Sequence, residues 1–249
     1  MNTDFKRIID YYSKFNEWER FEKPQGILEF EIVKQILLNK LSSERNILDL
    51  GGGPGRYTFL LAEHGFQVSL ADISPQLIEQ AQKNKSQCNE NVQKNIREIL
   101  VLNALDLSYY QKDFFDAVLL FGPLYHLNNE EIIRCLKGIK HILKHNGYIF
   151  IIYMPYEVGL KAILERSFYA PEQVNNKVLN ELVKTGYFKN NTNEGFQEGF
   201  FIETIKLVQI MKKEKYDIEE LRSIRGIGFG NEEEILERKK MISNIIISL

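Results

Sequence analysis

Asn46-Ile47-Leu48-Asp49-Leu50-Gly51-Gly52-Gly53-Pro54-Gly55-Arg56 is the stretch whose reading decides the fold. Asn46 to Leu50 is a short apolar run of the kind found in a strand covered on both faces. Glycines then crowd the turn, and from Arg56 to His64 a helical spacing sets Tyr57, Leu60, Leu61 and His64 on one stripe, stopping at Gly65. Strand, glycine turn and helix in that order place a ligand at the carboxyl end of a parallel strand. Glycine there lets the backbone approach a ligand with no Cβ in the way. The dinucleotide spacing GxGxxG would need glycine at position 56, where the chain has Arg56, so a pyrophosphate is disfavoured. Asp49, two residues ahead of the first glycine, suits a ligand with a cationic amine.

Outward from this unit, Gln67 to Ala71, Ile99 to Asn103, Phe115 to Leu120 and Tyr148 to Tyr153 read as four further strands. Ser74-Pro75 caps and opens a helix running to about Lys85, and Ser86 to Arg97 reads as helix end plus loop. Glu130 to Lys144 carries Ile132, Leu136, Ile139 and Leu143 on one stripe and stops at Gly147. Such alternation predicts an α/β fold, a Rossmann-like, doubly wound, mostly parallel sheet. Residues 45–155 are then a cofactor-binding core. Residues 1–44 form a helical N-terminal cover with two helical patterns split at Pro24-Gly26, the second packing on the sheet through Ile27, Leu28, Ile32, Ile36, Leu37 and Leu41. Residues 156–204 interrupt the rhythm and are rich in aromatics, among them Tyr156, Phe168, Tyr169, Tyr187, Phe188, Phe196, Phe200 and Phe201. Two readings stand for this insertion: a lid over an apolar acceptor, or a lobe whose aromatics form its own core. Residues 205–249 complete the sheet to seven strands, with helix at Ile205 to Lys213, strand at Tyr216 to Arg225, helix at Glu232 to Ile242 and a last strand at Asn244 to Leu249.

Composition narrows the partners. Lys+Arg 32 against Asp+Glu 34 in 249 residues leaves a formal charge of -2, so no global basic field holds a nucleic-acid backbone, and a small molecule is the expected partner. Cys88 and Cys135 stand alone, which supports neither a disulfide framework nor a zinc site. His141 and His145 sit four apart on a helix without a third ligand in register, so they read as a solvated face, and no metal is expected. With no signal-peptide pattern and no uninterrupted apolar stretch near eighteen residues, a cytoplasmic protein without a membrane partner is expected, as a monomer or homodimer.

Asp72 follows Gly51 by twenty-one residues at the end of the second strand, where an acid can take both hydroxyls of an adenosine ribose. Asp49 to Arg56 resembles the DxGxGxG motif of class I S-adenosylmethionine-dependent methyltransferases, and Phe115 to Leu127, FDAVLLFGPLYHL, resembles the fourth-strand motif of their small-molecule branch. The resemblance covers about Leu28 to Met154. It implies S-adenosylmethionine as cofactor and S-adenosylhomocysteine as product, bound at Asp49, Gly51, Gly53 and Gly55, with Asp72 on the ribose, Asn103 and Ala104 at the adenine, and Phe121 beside them. Asn103 replaces the family's usual acid; its amide can still donate and accept. The N-terminal segment with Tyr11, Tyr12, Phe15 and Trp18 folds over the cofactor in this family. Tyr125 and His126 would then face the methyl group, Tyr125 lining its side and His126 acting as base or as a buried, backbone-bonded imidazole. Gly122 and Leu124 stand where nucleic-acid amino-methylating enzymes carry a polar residue and a second proline, which argues against that branch. The expected function is methyl transfer to an oxygen or nitrogen of a small molecule. An RNA or protein methyltransferase and a non-catalytic sensor of an adenosyl ligand are the alternatives.

Overall fold

The computed structural model describes residues 3–14, 17–42, 45–226 and 230–238. Met1–Phe15 and Glu44–Ile218 belong to one compact unit, Asn16–Ser43 and Glu219–Leu249 to a second.

In the first unit, helix α1 (Phe5–Tyr12) opens on Asp4, whose carboxylate accepts from Arg7 N. The second unit holds the short helix α2 (Glu17–Arg20) and α3 (Pro24–Lys40). The helices divide at residues 21–23, just ahead of Pro24, which occupies the first turn of α3 rather than lying between the two, and its missing N–H costs nothing there. Arg20 ties this unit locally, pairing with Glu17 and Glu29 at 3.2 Å each and laying its guanidinium 4.3 Å from the Phe21 ring centre.

The first unit is built on five parallel strands, β1 (Asn46–Leu50), β2 (Gln67–Asp72), β3 (Ile96–Val101), β4 (Phe115–Leu120) and β5 (Leu143–Ile151), in the order β3-β2-β1-β4-β5. Leu48, Leu50, Leu70, Ala117 and Leu119 are fully buried, as strands covered on both faces must be. Helices α4 (Arg56–Glu63), α5 (Pro75–Gln87), α6 (Glu90–Asn95) and α7 (Asn129–Ile142) wrap the sheet. The polar stretch expected to be loop contains α6, capped by Asn89 on Val92 N, and it begins β3 three residues before the expected strand. Chain order reverses between β1 and β4, so the crevice at their carboxyl ends is the switch point where open α/β sheets bind ligands.

After β5 the chain builds α8 (Tyr156–Tyr169), α9 (Asn176–Thr185) and the antiparallel pair β6 (Tyr187–Lys189) and β7 (Glu198–Phe200). Ile163, Val174, Val178, Leu182, Phe188 and Phe201 form a core of this lobe's own. Helix α10 (Thr204–Lys213) follows, and α11 (Glu232–Glu237) lies in the second unit.

The seven-stranded expectation is corrected. The parallel sheet has five strands among the described residues, and Tyr216 to Arg225 is irregular where a sixth was expected. Tyr216 Oη donates to the Leu136 carbonyl of α7 at 2.7 Å, and Lys140 of α7 donates to the Glu214 and Lys215 carbonyls at 2.6 and 2.7 Å. These bonds lead the chain across a helix rather than along the sheet edge. The expected last strand, Asn244 to Leu249, lies outside the described residues. Among the described residues no helix is long and apolar enough to cross a membrane.

A Cβ on Gly159 of α8 would run into the Phe201 ring. Gly159→Ala is therefore expected to cost about 1–3 kcal/mol by overpacking, read as a lower urea midpoint with an unchanged slope.

Candidate functional site

The glycine turn is held at both ends. Gly51, at φ +77°, donates its N–H to the Ala71 carbonyl at 2.7 Å, and a Cβ at Gly51 would collide with the Pro123 ring. Only glycine allows both the backbone angle and that contact. Gly53 N–H donates to Asp72 Oδ2 at 2.9 Å and Ser74 N–H to Asp72 Oδ1 at 2.8 Å. Asp72 thus fastens the turn to the first residues before α5.

Asp49 lies beneath this turn, 1% exposed, with Thr58 Oγ1 of α4 donating to its Oδ2 at 2.7 Å. A Cβ at Gly52 would stand 2.6 Å from the Asp49 carboxylate. Burial pushes the Asp49 carboxyl up to about 6; the Thr58 hydroxyl opposes the shift and nearby Asp72 adds to it. On the next crevice wall, Asn103 Oδ1 accepts from Leu105 N at 2.9 Å and Ala104 is buried. Phe121 sets its half-buried ring edge-on to Tyr57, 5.0 Å between centres.

Contact between Gly51 and Pro123 brings the 3₁₀ turn Pro123–His126 against the glycine turn. At its end, buried His126 meets two other segments. Its Nδ1 lies 2.9 Å from the Glu198 carbonyl of β7 and its Nε2 3.0 Å from Tyr12 Oη of α1. Tyr12 Oη lies in turn 3.3 Å from Tyr125 Oη. A carbonyl can only accept, so Nδ1 carries a proton. Burial pushes His126 down to about 4, partly offset by that bond, which keeps the ring neutral near pH 7 and makes Nε2 an acceptor. Tyr12 must then donate to His126, and Tyr125 to Tyr12. The direction of the whole chain follows from one backbone carbonyl.

Helix α1 is fixed where this chain needs it. Thr3 Oγ1 donates to the His126 carbonyl at 2.8 Å, Thr3 N to Glu131 Oε1 at 3.1 Å, and Asp4 N to buried Glu198 Oε1 at 3.2 Å. Tyr11 points its ring edge at Phe196, 6.1 Å between centres.

Residues 47–147 match the family described as a methyltransferase domain. The match spans less than half of the chain, and the parallel sheet within it has the fold of S-adenosylmethionine-dependent methyltransferase structures. The chain is 29% identical over 155 residues to the glycine/sarcosine N-methyltransferase of Parasynechococcus marenigrum (strain WH8102), covering 60% of this chain and 50% of that protein. It thus spans about half the length of the curated relative it matches. Its fold resembles a methyltransferase structure from Methanosarcina mazei, at 22% identity and TM-score 0.61 over 75% of this chain and 86% of that one. It also resembles Haemonchus contortus phosphoethanolamine N-methyltransferase 1, solved with phosphoethanolamine and S-adenosylhomocysteine, at 24% identity and TM-score 0.51 over 63% and 33% of the two chains.

The structure therefore gathers the sequence candidates of this methyltransferase domain into two adjoining groups. Asp49, Gly51, Gly53, Gly55, Asp72, Asn103, Ala104 and Phe121 lie at or just beyond the carboxyl ends of β1 to β4, with Asp49 and Ala104 buried, and Tyr11, Tyr12, Tyr125 and His126 form an aromatic cluster next to Pro123. Phe15 lies outside the described residues, and Trp18 belongs to the second unit. Sequence reasoning missed Thr58, Glu198 and Arg7. Thr58 is an ordinary residue on a helix stripe, and Glu198 acts on His126 through its backbone, which no side-chain pattern signals.

S-adenosylhomocysteine carries a cationic amine, and if that amine sits beside Asp49, as the sequence expectation has it, binding favours the ionised carboxylate. Affinity is expected to fall as pH drops through about 6, where the carboxyl takes up a proton. Thr58→Val removes the bond that holds the carboxylate down, so calorimetry across pH should show that loss beginning at higher pH.

Proposed function

We propose that this protein transfers a methyl group from S-adenosylmethionine to the nitrogen of a small-molecule amine. The observation that carries the reading is the hydrogen-bond chain Tyr125 to Tyr12 to His126 to the Glu198 carbonyl, set beside the glycine turn. When bound, the cofactor supplies a methyl activated by the positive charge of its sulfonium.

The residues present fit that cofactor. Gly51 and Gly53 leave a cradle without Cβ atoms, Asp72 at the end of β2 brings a carboxylate to the place of the ribose hydroxyls, Asp49 offers the amine a carboxylate, and Asn103 with Ala104 and Phe121 takes the adenine. Because Tyr125 gives its proton to Tyr12, its oxygen can meet an acceptor's N–H only as a hydrogen-bond acceptor. Neutral His126 accepts from Tyr12 and holds it in place. A nitrogen that reaches the site as the free amine needs no strong base, and holding it correctly can supply about 7–11 kcal/mol. A hydroxyl acceptor would need a stronger base than an imidazole with a pKa of about 4. The similarity to a glycine/sarcosine N-methyltransferase supports the same choice of nitrogen. On this reading the partner is a small molecule rather than a nucleic acid or membrane, and the protein works in the cytoplasm as a monomer or homodimer.

Calorimetry should detect S-adenosylhomocysteine at tens of micromolar or below, with at least a tenfold loss in Asp72→Ala. Transfer from methyl-labelled cofactor should be seen with glycine, sarcosine or phosphoethanolamine. Tyr12→Phe should lower kcat about tenfold or more while leaving cofactor affinity unchanged. Cofactor binding without transfer to any amine would instead favour the sensor reading, and transfer to RNA or protein the macromolecular one.

A further inference from the structure

Phe196 is an aromatic ring of the lobe that reaches the cluster of Tyr11, Tyr12, Tyr125 and His126. Its centre lies 6.1 Å from Tyr11, 6.3 Å from Tyr125 and 5.7 Å from His126. Its other side stacks on the lobe core, 5.9 Å from Phe188 and 6.4 Å from Phe201. The ring is half-buried, as are Tyr11, Tyr12 and Tyr125.

Residues 190–197 are built to hold that ring. Asn190, 2% exposed, donates through Nδ2 to the Glu194 and Phe196 carbonyls at 2.7 and 3.0 Å and accepts at Oδ1 from Thr192 N and Oγ1 at 2.8 and 3.1 Å. One buried amide thus closes the loop on itself, with every bond directed at a loop atom. Gly195, at φ +67°, turns the backbone just before the ring, and a Cβ at Gly199 would stand 2.8 Å from the Phe196 ring. From α1, Arg7 Nε donates to Gln197 Oε1 at 3.0 Å and Nη2 to the Asn190 and Thr192 carbonyls at 2.5 and 2.9 Å. The same helix therefore carries Tyr12 to His126 and clamps the loop that carries Phe196.

We propose that Phe196 is the specificity-determining wall of the acceptor site, limiting how bulky the substituents on the acceptor nitrogen can be, and that Arg7 and Asn190 are the residues that position it. The inference rests on the amine-methyltransferase reading. A ring backed by two stacked phenylalanines cannot retreat without opening the lobe core, so it meets an added N-methyl group as a hard surface. Its π face also suits a nitrogen that gains positive charge on methylation. A residue that only filled the lobe core would need neither a ring directed at His126 nor a clamp from α1.

The test is labelled methyl transfer to the primary, N-methyl and N,N-dimethyl forms of glycine and of ethanolamine by wild type, Phe196→Ala, Phe196→Leu and Phe196→Tyr. Thermal melting and S-adenosylhomocysteine affinity are measured on each variant. Phe196→Ala and Phe196→Leu are expected to shift the kcat/KM ratio toward the more substituted amines by about tenfold or more. Phe196→Tyr should keep the wild-type ratio, and cofactor affinity should be unchanged throughout. A uniform drop across the series together with a lower melting temperature, or an unchanged ratio, would overturn the role of Phe196 while leaving the amine reading intact. No transfer by the wild type to any amine, with cofactor still bound, would overturn the amine reading and this inference together.

Discussion

Two backbone N–H groups, from Gly53 and Ser74, converge on the Asp72 carboxylate, and the geometry of the methyltransferase domain's crevice depends on that convergence. Hydrogen bonds to an ionised acceptor are worth about 1.5–3 kcal/mol each when buried. They join the glycine turn after β1 to the start of α5 after β2, so the two strands present one surface. Asp49 supports the turn from below, and the contact between Gly51 and Pro123 passes the constraint to the 3₁₀ turn after β4. The three strand ends at the switch point are thereby tied to one another.

Beyond Pro123 the organising group is His126. It bonds a strand of the inserted lobe on one side and the N-terminal helix on the other, segments separated from it by 72 and 114 residues. Its burial lowers its basicity while making it a reliable acceptor, so it serves the fold and the orientation of Tyr12 at once. The acid and the imidazole of this site are shifted by the same cause, desolvation: Asp49 up to about 6, His126 down to about 4. Each shift favours the uncharged form of its group, which leaves His126 neutral near pH 7 and brings the Asp49 carboxyl to titrate at about 6.

The parallel core was legible because buried strands and glycine turns leave local signatures. β1, β2, β4, α4 and the start of α5 lie within a residue or two of their expected bounds, since apolar runs, Gly65 and Ser74-Pro75 mark them directly. The edges were less legible. β3 began early because α6 hid inside a polar stretch, and the C-terminal strand expected at Tyr216 gave way to a hydrogen bond with the Leu136 carbonyl, a partner no periodicity reveals. The two readings of the aromatic insertion turned out to be compatible in geometry: six side chains form its core, while Phe196 touches both that core and the His126 cluster.

By itself, the sequence determined the strand–turn–helix unit, the placement of Asp49 and Asp72 at strand ends, and the parallel arrangement, because each depends on residues close along the chain. Only the tertiary structure decided that Tyr12, Tyr125, His126 and the Glu198 carbonyl form one directed chain, and that Arg7 clamps the loop bearing Phe196. Those contacts join segments 72 to 190 residues apart, and whether each polar group donates or accepts is set by the partner that packing brings to it.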